Sequence, residues 1–287
     1  MPNKRITSTD ILNAQTEHFL YKRFELLALN QFEWEGLPET IQERHIEQIL
    51  FSNGYAVFFE DPELGFLCLP ASFGEGLNVY GDPLTYRVSG HNYTRFVKAS
   101  DSVLIENNKL RMPTILAINY FVSQLYEIVR ARDVNIKTLK LPFLISCNDT
   151  QLFTFKKVLE EIDKNNYAIY GEKSYELQDS IKVLPTGAKC LTAELTDLYH
   201  DCLNEALTYL GINNANTDKR ERLITSEANA NNQLIDSCAN MFLEARQRAA
   251  DAISKMIGNP VNVRIRNPRP EAMEDSEGDQ ENAKIDN

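Results

Sequence analysis

"YLGINNANTDKRERLITSEANANN", residues 209–232, interrupts two well-patterned helical segments and decides how the chain is divided. A periodic apolar run ends at Leu210, with Gly211 just beyond it, where a glycine commonly closes a helix. The residues after Gly211 are crowded with asparagine, include Lys219, Arg220 and Arg222, and offer little to bury. Asparagine and serine side chains compete for backbone hydrogen bonds. The stretch therefore predicts a long polar, locally basic loop over 212–236.

On its N-terminal side, 189–211 predicts a long helix with Leu191, Leu195, Leu198, Cys202, Ala206 and Leu210 on one stripe. On its C-terminal side, Asp236 or Ser237 caps a further helix that closes at Gly258, Asn259 and Pro260, with "VNVRIR" as a last strand. A matching long helix begins at Pro113, where Ile115, Ile118, Val122, Leu125 and Val129 line up. Between the two long helices, "KTLKLPFLISCN", "QLFTFKKVLEEIDK", "YAIYG" and "SIKVLPT" read as strand, helix, strand and strand. Residues 10–31 predict a first helix capped by Asp10, which "FEWEGLP" breaks, and a short helix ends at Gly54. From Tyr55 to Met112 the period shortens. "YAVFFE", "FLCLP" and "LTYRVSG" alternate with Asp-Pro and glycine turns, which predicts a small antiparallel sheet or barrel. The fold class is α+β.

The chain has 287 residues, 43% hydrophobic and 25% charged, the balance of a globular protein. Its net charge of −11 excludes binding nucleic acid by bulk charge. Seven acids between Glu271 and Asp286, against Arg269 and Lys284, mark 267–287 as a disordered acidic tail. Five scattered cysteines without a CxxC pair, and no signal peptide in "MPNKRITSTD", predict reduced thiols in a cytoplasm. No apolar run is long enough for a membrane helix.

Catalytic signatures are missing. There is no GxxxxGK[ST] phosphate loop, no GxGxxG, and the glycines at 74 and 76 read as turn residues. His18, His45, His91 and His200 have no metal-ligand spacing. The expectation is no enzyme, no metal and no cofactor.

"FEWEGLPETI" (32–41) and "YLGINNANTDKRERLITSEANANNQLID" (209–236) carry a resemblance. The chain resembles the portal protein, also called upper collar or head–tail connector protein, of small short-tailed phages of Gram-positive bacteria that replicate with a terminal protein. Element order agrees over about residues 8–266. The resemblance implies a portal fold: long stem helices, a β-rich SH3-like wing and an α/β clip insert, assembled as a dodecameric ring around double-stranded DNA. Carried over by position, it implies an N-terminal arm and helix at 1–31, a wing at 32–112 and stem helices at 113–133 and 189–211. It implies a clip at 134–188, a tunnel loop at 212–236, and a wide-end helix and closing strand at 237–266. The implied partners are the packaging ATPase, capsid and scaffold proteins and lower collar or tail proteins, with a packaging RNA as a further candidate. The implied location is the portal vertex of the virion, after assembly in the host cytoplasm. Read without the resemblance, the same pattern also suits an α+β structural adaptor that conducts no DNA.

On this reading Lys219, Arg220 and Arg222 face DNA inside an otherwise acidic channel, whose charge keeps the duplex from adhering as it slides. A twelve-fold ring does not match the roughly ten base pairs per turn of B-DNA, so such contacts go to phosphate. Lys4, Arg5, Lys137 and Lys140 are candidate contacts to the motor, an RNA or the shell. The chain departs from its relatives along the second stem helix, where Glu194, Asp197, Asp201 and Glu205 come after Lys189. No ring of mid-channel lysines is therefore carried over.

Overall fold

The computed structural model describes residues 8–140, 143–146, 182–185, 189–214 and 225–267. It separates into two compact units, Met1–Leu125 with Cys202–Asn287, and Tyr126–Asp201.

The first unit opens with helix α1 (Ser8–Leu29), which starts two residues ahead of the expected cap, Asp10. Leu20, Phe24 and Ala28, four apart, form its buried side. Strand β1 (Phe32–Glu35) and helix α2 (Glu43–Asn53) come next. Gly54 closes α2 at φ 85°, and a side chain there would collide with the Arg111 carbonyl, so glycine is required on both counts. Strands β2 (Tyr55–Asp61), β3 (Gly65–Leu69), β4 (Ala71–Phe73), β5 (Thr85–Gly90), β6 (Tyr93–Lys98) and β7 (Ser102–Glu106) then form two antiparallel sheets, ordered β3-β2-β7 and β4-β5-β6.

Strand β2 explains why "YAVFFE" is a continuous apolar run. Its period of two divides it between two cores. Ala56 and Phe58 enter the main core, whereas Val57 and Phe59 pack with Tyr86, Val88 and Val97 in the core shared by the two sheets. Asp61, at the end of β2, ties this module together. Its carboxylate accepts from the Tyr93 hydroxyl (2.6 Å), Arg95 (2.6 Å), and the backbone N–H groups of Glu63 (2.9 Å) and Leu64 (3.1 Å). The Tyr93 hydroxyl first, then the Glu63 amide, Arg95 and the Leu64 amide hold the carboxyl well below the usual carboxylate range. A folded-state pKa below the unfolded one contributes stability at neutral pH that is lost as pH falls below about 4. Asp61→Asn is expected to lower the thermal midpoint at pH 7 and to flatten its acid decline, as seen in melts from pH 7 to pH 3.

Helix α3 (Thr114–Lys140) leaves this unit at Leu125. Ile118, Val122 and Leu125 are buried, as the stripe predicts. The helix runs seven residues past the expected end at 133, because "VNIKTLK" contains neither glycine nor proline to stop it before Pro142. In the second unit, β8 (Phe143–Ser146) pairs antiparallel with β9 (Lys182–Pro185), from Phe143 against Pro185 to Ser146 against Lys182. The expected helix at 151–164 and strand "YAIYG" lie outside the described residues. Helix α4 (Thr192–Leu210) begins here, with Asn135 of α3 accepting from the Leu191 N–H (3.1 Å) and donating to the Lys189 carbonyl (2.8 Å).

Back in the first unit, α4 ends in a Schellman motif. Gly211 at φ 72° donates to Thr208, and Ile212 donates to Leu207. A side chain at Gly211 would meet the backbone of Ala239 at 2.5 Å, so helix α5 (Thr225–Ile257) passes directly against this turn. Helix α5 starts eleven residues before the expected cap at Asp236, which corrects the 212–236 loop. Ile235, Ala239, Phe242, Arg246, Ala249 and Ile253 make one buried stripe, spaced four and three. The "SEANANN" segment continues that helix without a glycine or proline to break it. Strand β10 (Asn262–Ile265) pairs antiparallel with β1, placing Trp34 opposite Val263. "FEWE" is therefore a strand as well as the break after α1.

Candidate functional site

The DNA-facing candidates Lys219, Arg220 and Arg222 lie outside the described residues, as do Lys4 and Arg5. The described ends of the basic segment are well anchored. Asn214 donates to the Asn204 carbonyl (3.0 Å) and Thr208 (2.8 Å), and Asn231 of α5 donates to Asn214 (3.0 Å). Lys137 is exposed on the C-terminal part of α3, and Lys140 is that helix's last residue, so both are helical where the sequence predicts a strand. Among the described residues no cluster of three or more His, Cys, Asp or Glu could hold a metal ion. No described helix is long and apolar enough to cross a membrane. Cys68 is buried, and burial with Glu47 nearby pushes its thiol up to about 12.

What the fold does bring together is a buried polar junction centred on Arg246 in the first unit. Every guanidinium N–H is used. Nε and Nη2 bond the two Glu47 carboxylate oxygens at 2.8 and 2.7 Å. Nη2 also reaches the Asn107 side chain (3.1 Å), and Nη1 reaches the carbonyls of Asn107 (3.3 Å) and Phe242 (3.1 Å). The cation lies 4.2 Å from the Phe32 ring centroid. Glu47 also accepts from the Trp34 indole (2.9 Å), and Asn107 donates to Met112 and Thr114 at the start of α3. Gln31, beside it, donates to the Leu210 carbonyl at the end of α4. One node thus fastens β1, α2, the segment after β7, the start of α3 and α5. Arg246 and Glu47 are both almost fully buried, and the cavity beside them has a volume of about 10 Å³, room for no more than a water. Such a site binds no substrate; it fixes geometry.

Sequence reasoning missed this pair. The partners are 199 residues apart, but each left a trace as a charged residue inside an otherwise apolar stripe. The junction also explains "FEWEGLPETI": Phe32 and Trp34 sit at its centre, so that motif is a structural one.

The chain is similar to several solved structures. One belongs to the portal and tail of native bacteriophage P68, at 16% identity over 100% of both chains with a TM-score of 0.49. Another is an HK97-family phage portal protein from Corynebacterium diphtheriae, at 12% identity over 94% of this chain and 96% of that one, TM-score 0.47. A third lies in the neck of an empty gene transfer agent particle, at 13% identity over 99% and 90%, TM-score 0.47. The family model described as Phage Connector (GP10) matches residues 10–268. That match takes in both "FEWEGLPETI" and the segment around Gly211, and with nearly the whole chain inside it, this protein belongs to the Phage Connector (GP10) family.

Proposed function

We propose that this head–tail connector works as a twelve-membered ring at one capsid vertex, through which double-stranded DNA is packaged and later ejected. The observation that carries the proposal is the family match across residues 10–268. The elements suit it. At 1.5 Å per residue, α3 with 27 residues is about 40 Å long, enough to line a channel as a stem. The two three-stranded sheets over 55–106 would serve as the wing, and the unit Tyr126–Asp201 would include the clip. The polar node around Arg246 would hold the wing, the start of α3 and the end of α4 in one rigid body while DNA moves past.

In this reading the chain contributes structure and no catalysis. The energy for packaging comes from a separate ATPase docked at the ring, and the tail takes that place afterwards. Lys219, Arg220 and Arg222 touch phosphates inside the head end, while Lys4, Arg5, Lys137 and Lys140 meet the motor, a packaging RNA or the shell. The net charge of −11 per chain keeps the remaining channel from holding DNA. The protein assembles in the host cytoplasm and stays in the virion.

The solution mass tests this directly. Light scattering of the purified chain is expected to give a species near twelve times 32.8 kDa. A monomer persisting at high concentration would overturn the proposal.

A further inference from the structure

Helix α1 is apolar on two sides. Leu20, Phe24 and Ala28 are buried, yet Leu12, Phe19 and Leu26 are 61, 67 and 63% exposed. Their spacing of seven places them on one line, about 20 Å long. A second apolar stripe left in water on a helix already packed by its first marks a surface for another contact.

A second exposed apolar feature lies on the turn between β4 and β5. Leu77, Val79 and Tyr80 are 63, 93 and 88% exposed. The turn nonetheless has a fixed shape. The Asn78 side chain accepts from the N–H groups of Tyr80 (2.9 Å) and Asp82 (2.8 Å). Gly81 donates to the Asn78 carbonyl, and Leu84 donates to that of Gly76. Arg111 grips Asp82 at 2.9 Å and Glu106 at 2.7 Å, which ties the turn to the end of β7. An apolar tip held this firmly loses little ordering entropy on binding.

We infer that neighbouring subunits join head to tail, with the Leu12–Phe19–Leu26 stripe of one copy seated on the Leu77–Tyr80 turn of the next. The inference rests on the ring reading above and names its contact. A second copy is the occupant because the two surfaces differ in shape and sit on one chain, as a cyclic head-to-tail interface demands. Charge agrees: Lys22 and Arg23 border the stripe, while Glu75 and Asp82 border the turn. Lys22 already pairs with Glu25 and Asp82 with Arg111, so Arg23 and Glu75 are the pair that would meet across the contact.

Two full-length variants test it. Phe19→Glu spoils the stripe but keeps the turn, and Val79→Asp does the reverse. Each alone is expected to run as a 32.8 kDa monomer under conditions where the parent forms its ring. Mixed in equal amounts, they are expected to give a species of two chains and nothing larger, since only one good stripe and one good turn are present. A circular dichroism spectrum matching the parent's and a cooperative thermal melt establish that both fold, and Leu12→Lys with Tyr80→Glu is the second pair where one does not. A variant that still forms the ring, or folded variants that stay monomeric when mixed, overturns the assigned contact. A parent chain that is itself monomeric overturns the ring reading, and the contact with it.

Discussion

Arg246→Met is expected to lower the unfolding free energy by about 3–5 kcal/mol, because it leaves the Glu47 carboxylate buried without its counter-charge. The loss is a large fraction of the roughly 5–15 kcal/mol that holds a typical domain folded. Glu47 would keep only the Trp34 indole as a donor, and the Asn107 carbonyl and side chain would lose the guanidinium. A companion separates the pair's own contribution from the penalty of breaking it. Glu47→Leu with Arg246→Met removes both charges, and buried pairs replaced by apolar residues are often neutral or stabilising. The double variant is therefore expected to recover much of what the single one loses. It falls short by the cost of the orphaned Trp34 N–H, about 1–3 kcal/mol. Trp34 is the chain's one tryptophan and lies in the junction, so its fluorescence in a urea titration reads the site directly. An Arg246→Met midpoint equal to the parent's would show that the node does not hold the fold.

Much of the architecture could be read from local chemistry. Gly54 and Gly211 mark helix ends because both occupy left-handed backbone conformations, and the change of period at Tyr55 marks the entry to the sheets. The stripe on α3 is buried at Ile118, Val122 and Leu125, as spacing places it. On α4 only Cys202, Ala206 and Leu210 are buried, while Leu191 and Leu198 of the expected stripe are exposed. What stayed hidden depends on distance along the chain. Nothing near "FEWE" announces that its partner strand lies at 262–265, since register between remote strands is set by the assembled core. The helical start at Thr225 was hidden for another reason. Asparagine and serine argue for loop, yet Ile235 and Ala239 already belong to the α5 stripe, and burial outweighs weak propensity. The junction needed both insights together, a charge tolerated within an apolar stripe and a partner 199 residues away. The candidate DNA contacts lie outside the described residues, so they rest on the resemblance and on charge alone.

For those contacts, replacing Lys219, Arg220 and Arg222 together with glutamine is expected to let genomes enter normally but slip back out. The helix start at Thr225 dictates how this must be done. Deleting 217–232 would remove the first two turns of α5 along with the basic segment, and a failure to assemble would then say nothing about DNA. Point substitutions leave Asn214 and Asn231 in place, and with them the turn at Gly211 that packs on Ala239. The physical basis is counterion release: each phosphate neutralised adds about 0.9 to the slope of log affinity against log salt. Removing the cations is expected to lower that slope by at least about 1 for purified rings on random-sequence duplex, with no dependence on base sequence. In packaged particles the corresponding effect is loss of retained DNA once the motor is removed, largest at low salt and shrinking as salt is raised, because the parent's phosphate contacts weaken with salt too. Retention and salt slope both unchanged would show that these three cations do not hold packaged DNA against slipping back. The genome would then have to be held inside by the motor or the tail alone, because an acidic wall repels the duplex.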